Sequence, residues 1–343
     1  DPDDESVPVL LQNNSIVTPF EAVTGMYSLP GRHDIDPTAI LAPFYFLFFG
    51  LMLSDAAYGL ILTTLCAIIL KKYKPEGTTH RMIKMFMFCG LSTFMWGALF
   101  GGWFGNFFTV AAKTFFGKEF VIKPLWFDPL SEPMRLLVVS LILGAIHLFV
   151  GMGVQAYMDI KDGRPLDALF DIGLWYLLLI GIVLFAFGGK LGVGAVGIGK
   201  IMAIVGAVGI LLTGGRKKKG IFGKLTGGLG SLYGITSYLS DVLSYSRLLA
   251  LGLATGVVAQ VFNTLGSLAG GGIAGSILLI VVFAFGTVFN IAINALGAFV
   301  HSCRLQYVEF FGKFYTGGGR PFAPFERKTK YIKILKEGND NVK

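Results

Sequence analysis

Two arginines lie deep inside apolar sequence: Arg247 in SYLSDVLSYSRLLALGLATGVVAQVF and Arg304 in VFNIAINALGAFVHSCRLQYVEFFGKFY, with no run of neighbouring carboxylates to neutralise both. At the centre of a membrane helix an arginine costs between ~2.5 and ~17 kcal/mol depending on the measure, so such side chains face a protein interior, an aqueous cavity or an ion path. The chemistry open to a guanidinium is electrostatic, because it attracts or displaces an anion and does not give up its proton.

Other polar residues in the same segments take positions that spacing makes meaningful. Asn290, Asn294, Gly297, His301, Arg304 and Val308 follow steps of 4, 3, 4, 3 and 4 and so form one stripe along a helix. Amides, an imidazole and a guanidinium in one line can border a hydrated path, and Gln306 belongs to the same stretch. They can equally form a hydrogen-bonded seam that holds helices together. In the preceding segment Ser240, Ser244 and Arg247 share a face, while Asp241 stands six residues before Arg247, poorly placed to pair with it within one helix. Glu309 and Lys313, spaced i to i+4 in the favoured order, predict a structural ion pair. Asp55, in FFGLMLSDAAYGLILTT, has no basic residue in its run and predicts a helix cap after a chain break, a protonated carboxyl or a group facing water.

Motifs for soluble chemistry are missing. Gly-Lys occurs at Gly117, Gly189, Gly199, Gly223 and Gly312, never followed by Ser or Thr, so no P-loop is present. There is no HExxH or GxSxG, and His33, His80, His147 and His301 are scattered. Cys66, Cys89 and Cys303 lie in apolar segments without ligand spacing, which predicts neither a zinc site nor a disulfide framework. The expectation is a chain without covalent catalysis, metal or cofactor.

The elements that must position these residues are membrane helices. Hydrophobic residues make up 54% of the chain and charged ones 15%, with a mean hydropathy of +0.67, and the apolar residues fall in long blocks rather than alternating. That pattern predicts an all-α polytopic membrane protein and excludes a β-barrel. Seven apolar segments run from Leu41 to Leu70, Met85 to Phe108, Met134 to Met158, Leu169 to Gly188, Ile201 to Thr213, Leu232 to Leu265 and Ile273 to Tyr315. The fifth reaches a spanning length only with its glycine-rich lead, LGVGAVGIGK. The last two far exceed the ~20 residues a perpendicular crossing needs, so they tilt or project.

Basic clusters set the orientation. Lys71, Lys72, Lys74, Arg81 and Lys84 form one, Arg216, Lys217, Lys218, Lys219 and Lys224 another, and Arg327, Lys328, Lys330, Lys333 and Lys336 a third. All three are expected on the cytoplasmic side, which makes the net charge of +8 a topological signal rather than a sign of nucleic-acid binding. The charge pattern leans to a single pass for Leu41 to Leu70, yet Gly50, Ser54, Asp55 and Gly59 also permit a break near SDAAYG. The opening DPDDESVPVLLQNN carries neither an initiator Met nor a signal peptide, and the expectation is a start inside a longer protein.

The strings SYLSDVLSYSRLLALGLATG and HSCRLQYVEFFGKFYTGGGRPFAPF, with PFEAVTGMYSLPGRHDIDPT and PFYFLFFGLMLSDAAYG, resemble subunit I of bacterial and archaeal V-type (A-type) ATPases, the equivalent of eukaryotic subunit a. The resemblance runs over essentially the whole chain and concerns the C-terminal membrane half of that subunit. It implies eight transmembrane helices, with the first apolar run split in two, both termini cytoplasmic, and the last two helices long and tilted. It implies a linker over 1–40 from a missing N-terminal domain, an ion-translocating membrane domain over 41–316 and a basic cytoplasmic tail over 317–343.

The resemblance also implies a role. Such a subunit is a stator in a cell membrane, pressed against a rotor ring of c (K) subunits whose carboxylates carry H+ or Na+. Its other expected partners are membrane lipid, a central-stalk-linked subunit of the membrane sector, and peripheral stalks reached through the missing half. Arg247 and Arg304 align with the family's paired arginines, between two offset half-channels. Candidate lining residues are Asn290, Asn294, His301, Gln306, Ser244, Asp241, Glu309 and Asp55. Eukaryotic members carry a histidine where this chain has Thr255 and a glutamate where it has Asn294. The rival reading is a secondary transporter that binds an anionic solute at the arginines, although no internal repeat supports one; a purely structural scaffold is the third.

Overall fold

In the computed structural model the described residues are 8–31, 34–117, 120–190, 193–216, 221–268, 270 and 272–322. His33, Lys217, Lys218 and Lys219, and the tail cluster Arg327, Lys328, Lys330, Lys333 and Lys336, lie outside them. The chain is an all-α polytopic membrane protein. Among the described residues seven helical spans are long and apolar enough to cross a bilayer, and an eighth apolar helix is shorter. Beside them stands one pair of two-residue parallel strands, β1 (Pro8–Val9) and β2 (Arg320–Pro321).

The first apolar run is broken, against the lean of its charges. A short α1 (Glu21–Tyr27) leads to α2 (Thr38–Leu53), which ends where Ser54 turns left-handed at φ 30°, and α3 (Ala56–Tyr73) starts immediately after. Asp55 is the N-cap, its Oδ1 accepting from the amides of Ala57 and Tyr58 at 3.0 and 3.1 Å. Two free N–H groups of α3 are thereby satisfied where no water need reach them. The α2 helix is short because it is interior: Leu41, Tyr45, Phe48, Phe49, Leu51, Met52 and Leu53 are all buried.

Next come α4 (Gly77–Phe100), α5 (Phe107–Phe116) and α6 (Pro133–Lys161). Small residues let α3 and α4 touch: a Cβ on Gly97 would meet the backbone of Asp55 and Ala56, and one on Gly59 the backbone of Gly90 and Phe94. A three-residue turn, α7 (Pro165–Asp167), and a π-helical turn (Ala168–Gly173) enter α8 (Leu174–Phe187). Its partner α9 (Val193–Thr213) includes the glycine-rich lead from Val193 on, and Gly199 and Gly206 lie against the α8 backbone.

The sixth segment is not one uninterrupted helix. Its path from Thr226 to Ser267, 42 residues, comprises the end of α10 (Ile221–Tyr233), then α11 (Ile235–Ser244) and α12 (Ser246–Ser267). Tyr245, at φ −73° and ψ −7°, separates the last two. The final path, Ile273 to Lys313, is 41 residues: α13 (Ile273–Arg304), a π-helical turn (Leu305–Phe310) and a tight 3-10 turn. At 1.5 Å per residue each path measures ~60 Å against a ~30 Å hydrocarbon core, so neither crosses upright within the core.

Two cores result. The larger centres on α2 and joins α4, α6, α12 and α13; the smaller joins Met152 of α6, Ile172, Trp175 and Leu178 around α8, and Ile210 of α9. The segment before α2 is a strap over the end of the last path. Tyr307 donates to Val23 O at 2.7 Å, Tyr315 to Ser28 O at 2.8 Å, and Asp34 accepts from the Gly317 amide at 2.7 Å. Burial, and then the nearby Asp34 and Asp36 carboxylates, push the Tyr315 phenol above its ordinary pKa and keep it a donor.

Candidate functional site

Arg247 stands in the first turn of α12 and donates from Nη2 to Glu309 Oε1 at 2.8 Å. The partner is 62 residues away in sequence, so no local spacing foretells it. The pairing expected between Glu309 and Lys313 does not form. Lys313 Nζ instead donates to Asp241 and lies 4.2 Å from the centre of the Tyr238 ring. The cause is local geometry: Glu309 sits in a π-helical turn and Lys313 in a 3-10 turn, and the i to i+4 rule presumes α-helix through both. Two ion pairs thus bridge the α11–α12 path to the end of the last path.

Arg304 differs. It ends α13, is exposed, and has no hydrogen bond or ion pair among the described residues. Leu296 and Val300, two turns and one turn before it on the same side of α13, and Val308 one turn beyond are all at least half exposed. An apolar face suits lipid or another protein, whereas one unpaired guanidinium on it lacks a counter-charge. His301, half-buried with an unpartnered Nδ1, lies within electrostatic reach of both arginines.

The expected polar stripe divides along its length. Asn290 is fully buried and donates to the Tyr58 hydroxyl on α3 at 3.0 Å and to Thr255 O on α12 at 3.1 Å. Asn294 donates to both the carbonyl and the side-chain oxygen of Asn290. These two amides therefore lie in a packed interior, while His301 and Arg304 reach the uncovered side. A 3.5-residue step falls behind a 3.6-residue helix by ~20° per heptad, which carries the stripe around α13. Thr255 is also buried and bonds to Met52 O at 3.3 Å. Ser244 bonds back to Ser240 O at 3.1 Å.

A second polar group was hidden in the scattered histidines. His147 of α6 is fully buried, its Nδ1 2.8 Å from the Tyr245 hydroxyl and its ring stacked on Phe310 at 4.3 Å. Gly144 makes the room, since a Cβ there would strike the Tyr245 ring. Close by, the fully buried Gln306 lies next to His147, and neither its amide atoms nor His147 Nε2 makes a hydrogen bond of good geometry among the described residues. A histidine amid LILGAIHLFVGMG was the available sign, because polar groups inside membrane helices are costly.

Two cavities flank this cluster. One of about 220 Å³ is bordered by Asp55, Asn106, Asp128, Gly252, Gly256 and Gln260; the other, about 480 Å³, by Gln155, Asp159, Arg164, Asp171, Tyr238 and Lys313. The first adjoins the start of α6 and the second its last turns, and α6, with 29 residues, is ~43 Å long. They therefore lie at opposite ends of the bundle, and along the α11–α12 path Arg247 falls between Tyr238 of one and Gly252 of the other. Asp55 both caps α3 and borders the smaller cavity, with its Oδ2 taking the Gly105 amide at 3.0 Å.

The fold and the charged groups inside it define a polytopic integral membrane protein with a permanent cation on an uncovered apolar face. The family described as the V-type ATPase 116kDa subunit family matches residues 235–327, the stretch that holds both arginines. The A-type ATP synthase subunit I of Methanocaldococcus jannaschii is 36% identical over 362 residues, covering 96% of this chain and 51% of that protein. The same subunit of Pyrococcus abyssi is 38% identical over 342 residues, with 96% and 49% covered. The V-type ATP synthase subunit I of Chlamydia trachomatis is 24% identical over 382 residues, with 94% and 56% covered. The chain belongs to this family of V-type and A-type ATP synthase subunits I. It spans about half the length of the curated relatives it matches.

Proposed function

We propose that this chain is the membrane-embedded stator portion of a rotary V/A-type ATPase, coupling passage of H+ or Na+ to rotation of a ring of c (K) subunits. The observation that carries the reading is Arg304, exposed and unpaired on the apolar face of α13. No counter-charge meets it among the described residues, and a ring carboxylate that arrives and leaves would supply one. As it passes, the fixed guanidinium favours its ionised form, releases the carried ion and bars a direct leak. Arg247 stands beside this path.

The cavities at opposite ends of the bundle support two offset access routes. On this reading Asp241 and Ser244 lie toward the larger cavity, Asp55 borders the smaller one, and His301, Gln306, Glu309, Asn290 and Asn294 lie along the helix between. The orientation is N- and C-termini cytoplasmic in the cell membrane of a bacterium or archaeon. It is supported by Arg81 and Lys84 of the first basic cluster, which contact Glu21 and Ser15 O at 3.0 Å each, on the strap that also holds the end of the last path. Residues 1–40 lead in from the part that meets the peripheral stalks, 41–316 form the translocating domain, and 317–343 the tail. Membrane lipid and the central-stalk-linked subunit of the membrane sector complete the partners.

The test is ATP-driven ion transport by the reconstituted complex carrying Arg247→Ala or Arg304→Ala. Loss of transport is expected for both. Coupled transport retained at the parental rate in both would refute the proposal.

A further inference from the structure

Glu309 has a property the translocation scheme leaves unused. It is only 2% exposed, and a carboxylate so placed needs a partner. Lys313, the nearest cation along its own helix, is taken by Asp241. Among the described residues Glu309 is left with Arg247 alone, through one contact rather than a fork. Its Oε2 and the Nη1 of Arg247 both lack partners, although the two groups could meet at both positions. Arg247 keeps 21% of its side chain exposed, while the unpartnered Nη1 itself is buried beside Glu309, so an arriving carboxylate first meets the exposed part of the guanidinium side chain.

We propose that Glu309 is the resting counter-ion of Arg247, sharing the guanidinium with each rotor carboxylate that arrives and reclaiming it in full as that carboxylate leaves. The idea rests on the stator reading. Its physical content is a shallower well. Beside the unpaired Arg304, a second guanidinium with no internal partner would deepen the electrostatic minimum that holds a passing carboxylate and slow the ring, and conduction demands binding strong enough to admit and weak enough to release. A carboxylate already in place competes for the same donors, so arrival and departure become an exchange rather than the making and breaking of a lone pair. The π-helical turn serves this by bringing Leu305, Gln306, Glu309 and Phe310 all to the buried side, with Val308 outward; π turns recur at functional sites.

The experiment is single-molecule rotation and ATP-driven transport with the intact complex carrying Glu309→Gln, Glu309→Asp or Arg247→Ala. With Glu309→Gln the pause at each ring step lengthens about tenfold, the factor that a well ~1.4 kcal/mol deeper produces, while hydrolysis and transport fall together and stay coupled. Glu309→Asp keeps the charge at shorter reach and gives an intermediate pause. A merely structural role would reduce the amount of assembled complex and leave the pause of surviving molecules unchanged, which overturns the proposal. If Glu309→Gln fails to assemble, Glu309→Asp decides alone: a lengthened pause supports the role and a parental pause overturns it. Parental pauses with Arg247→Ala inactive would defeat the counter-ion role only, an active Arg247→Ala would likewise defeat that role, and coupled transport retained in both Arg247→Ala and Arg304→Ala would defeat the stator reading beneath it.

Discussion

Replacing Asn290 with leucine separates packing from ion passage. The Asn290 side chain donates to Tyr58 and to Thr255 O and accepts from Asn294, so the substitution removes three hydrogen bonds at a site with no exposure. Interhelical bonds inside membrane proteins average ~0.6 kcal/mol, which sets the loss at about 2 kcal/mol, because the unfolded chain in the membrane also finds partners. For 343 residues, with an unfolding entropy of ~2.1 cal/mol/K per residue, that loss lowers the Tm by about 3 °C. Leucine is close in volume, so no large cavity term adds to it. The assay is thermal unfolding of the purified complex in detergent, followed by ATP-driven transport at a temperature where the variant stays folded. The geometry predicts a lowered Tm with transport largely kept. An unchanged Tm with transport abolished would refute the packing role and make Asn290 a group that acts on the ion.

Two other substitutions probe the frame that holds the arginines. Asp55→Ala removes the cap of α3 and the tether to Gly105, and is expected to cost about 1–2 kcal/mol, with faster proteolysis between Gly101 and Asn106; Asp55→Asn, able to cap, should recover most of it, and equal cleavage of all three proteins would contradict the cap. Gly97→Val puts side-chain atoms into the backbone of Asp55 and Ala56, so α3 and α4 must separate and the yield of folded complex should collapse; normal yield and Tm would show that the contact is not tight.

Much of the frame was readable locally. A break near SDAAYG, with Asp55 as its cap, follows from turn and cap preferences that act over three or four residues. Spanning length made the glycine-rich lead part of the fifth helix. Charge spacing, by contrast, leaned to a single pass through that break, since loops are counted by charge while α2 is shaped by burial among four other elements. Face arithmetic through Ser240, Ser244 and Arg247 presumed one continuous α-helix, and the turn at Tyr245 interrupts it.

What the sequence determined by itself is an all-α membrane chain, its main helical segments, its membership in a family and the presence of two costly guanidiniums. Hydrophobic length, capping and motif identity are properties of contiguous residues, so they survive without a fold. Only the tertiary structure decided how the two arginines differ. Arg247 meets Glu309 across 62 residues, Lys313 turns to Asp241, and His147 meets Tyr245 across 98 residues. Arg304 is left exposed on α13 without a partner among the described residues. Those pairings depend on which helices pack and on how π and 3-10 turns rotate the last charged residues, and helical periodicity within one segment carries no information about its neighbours.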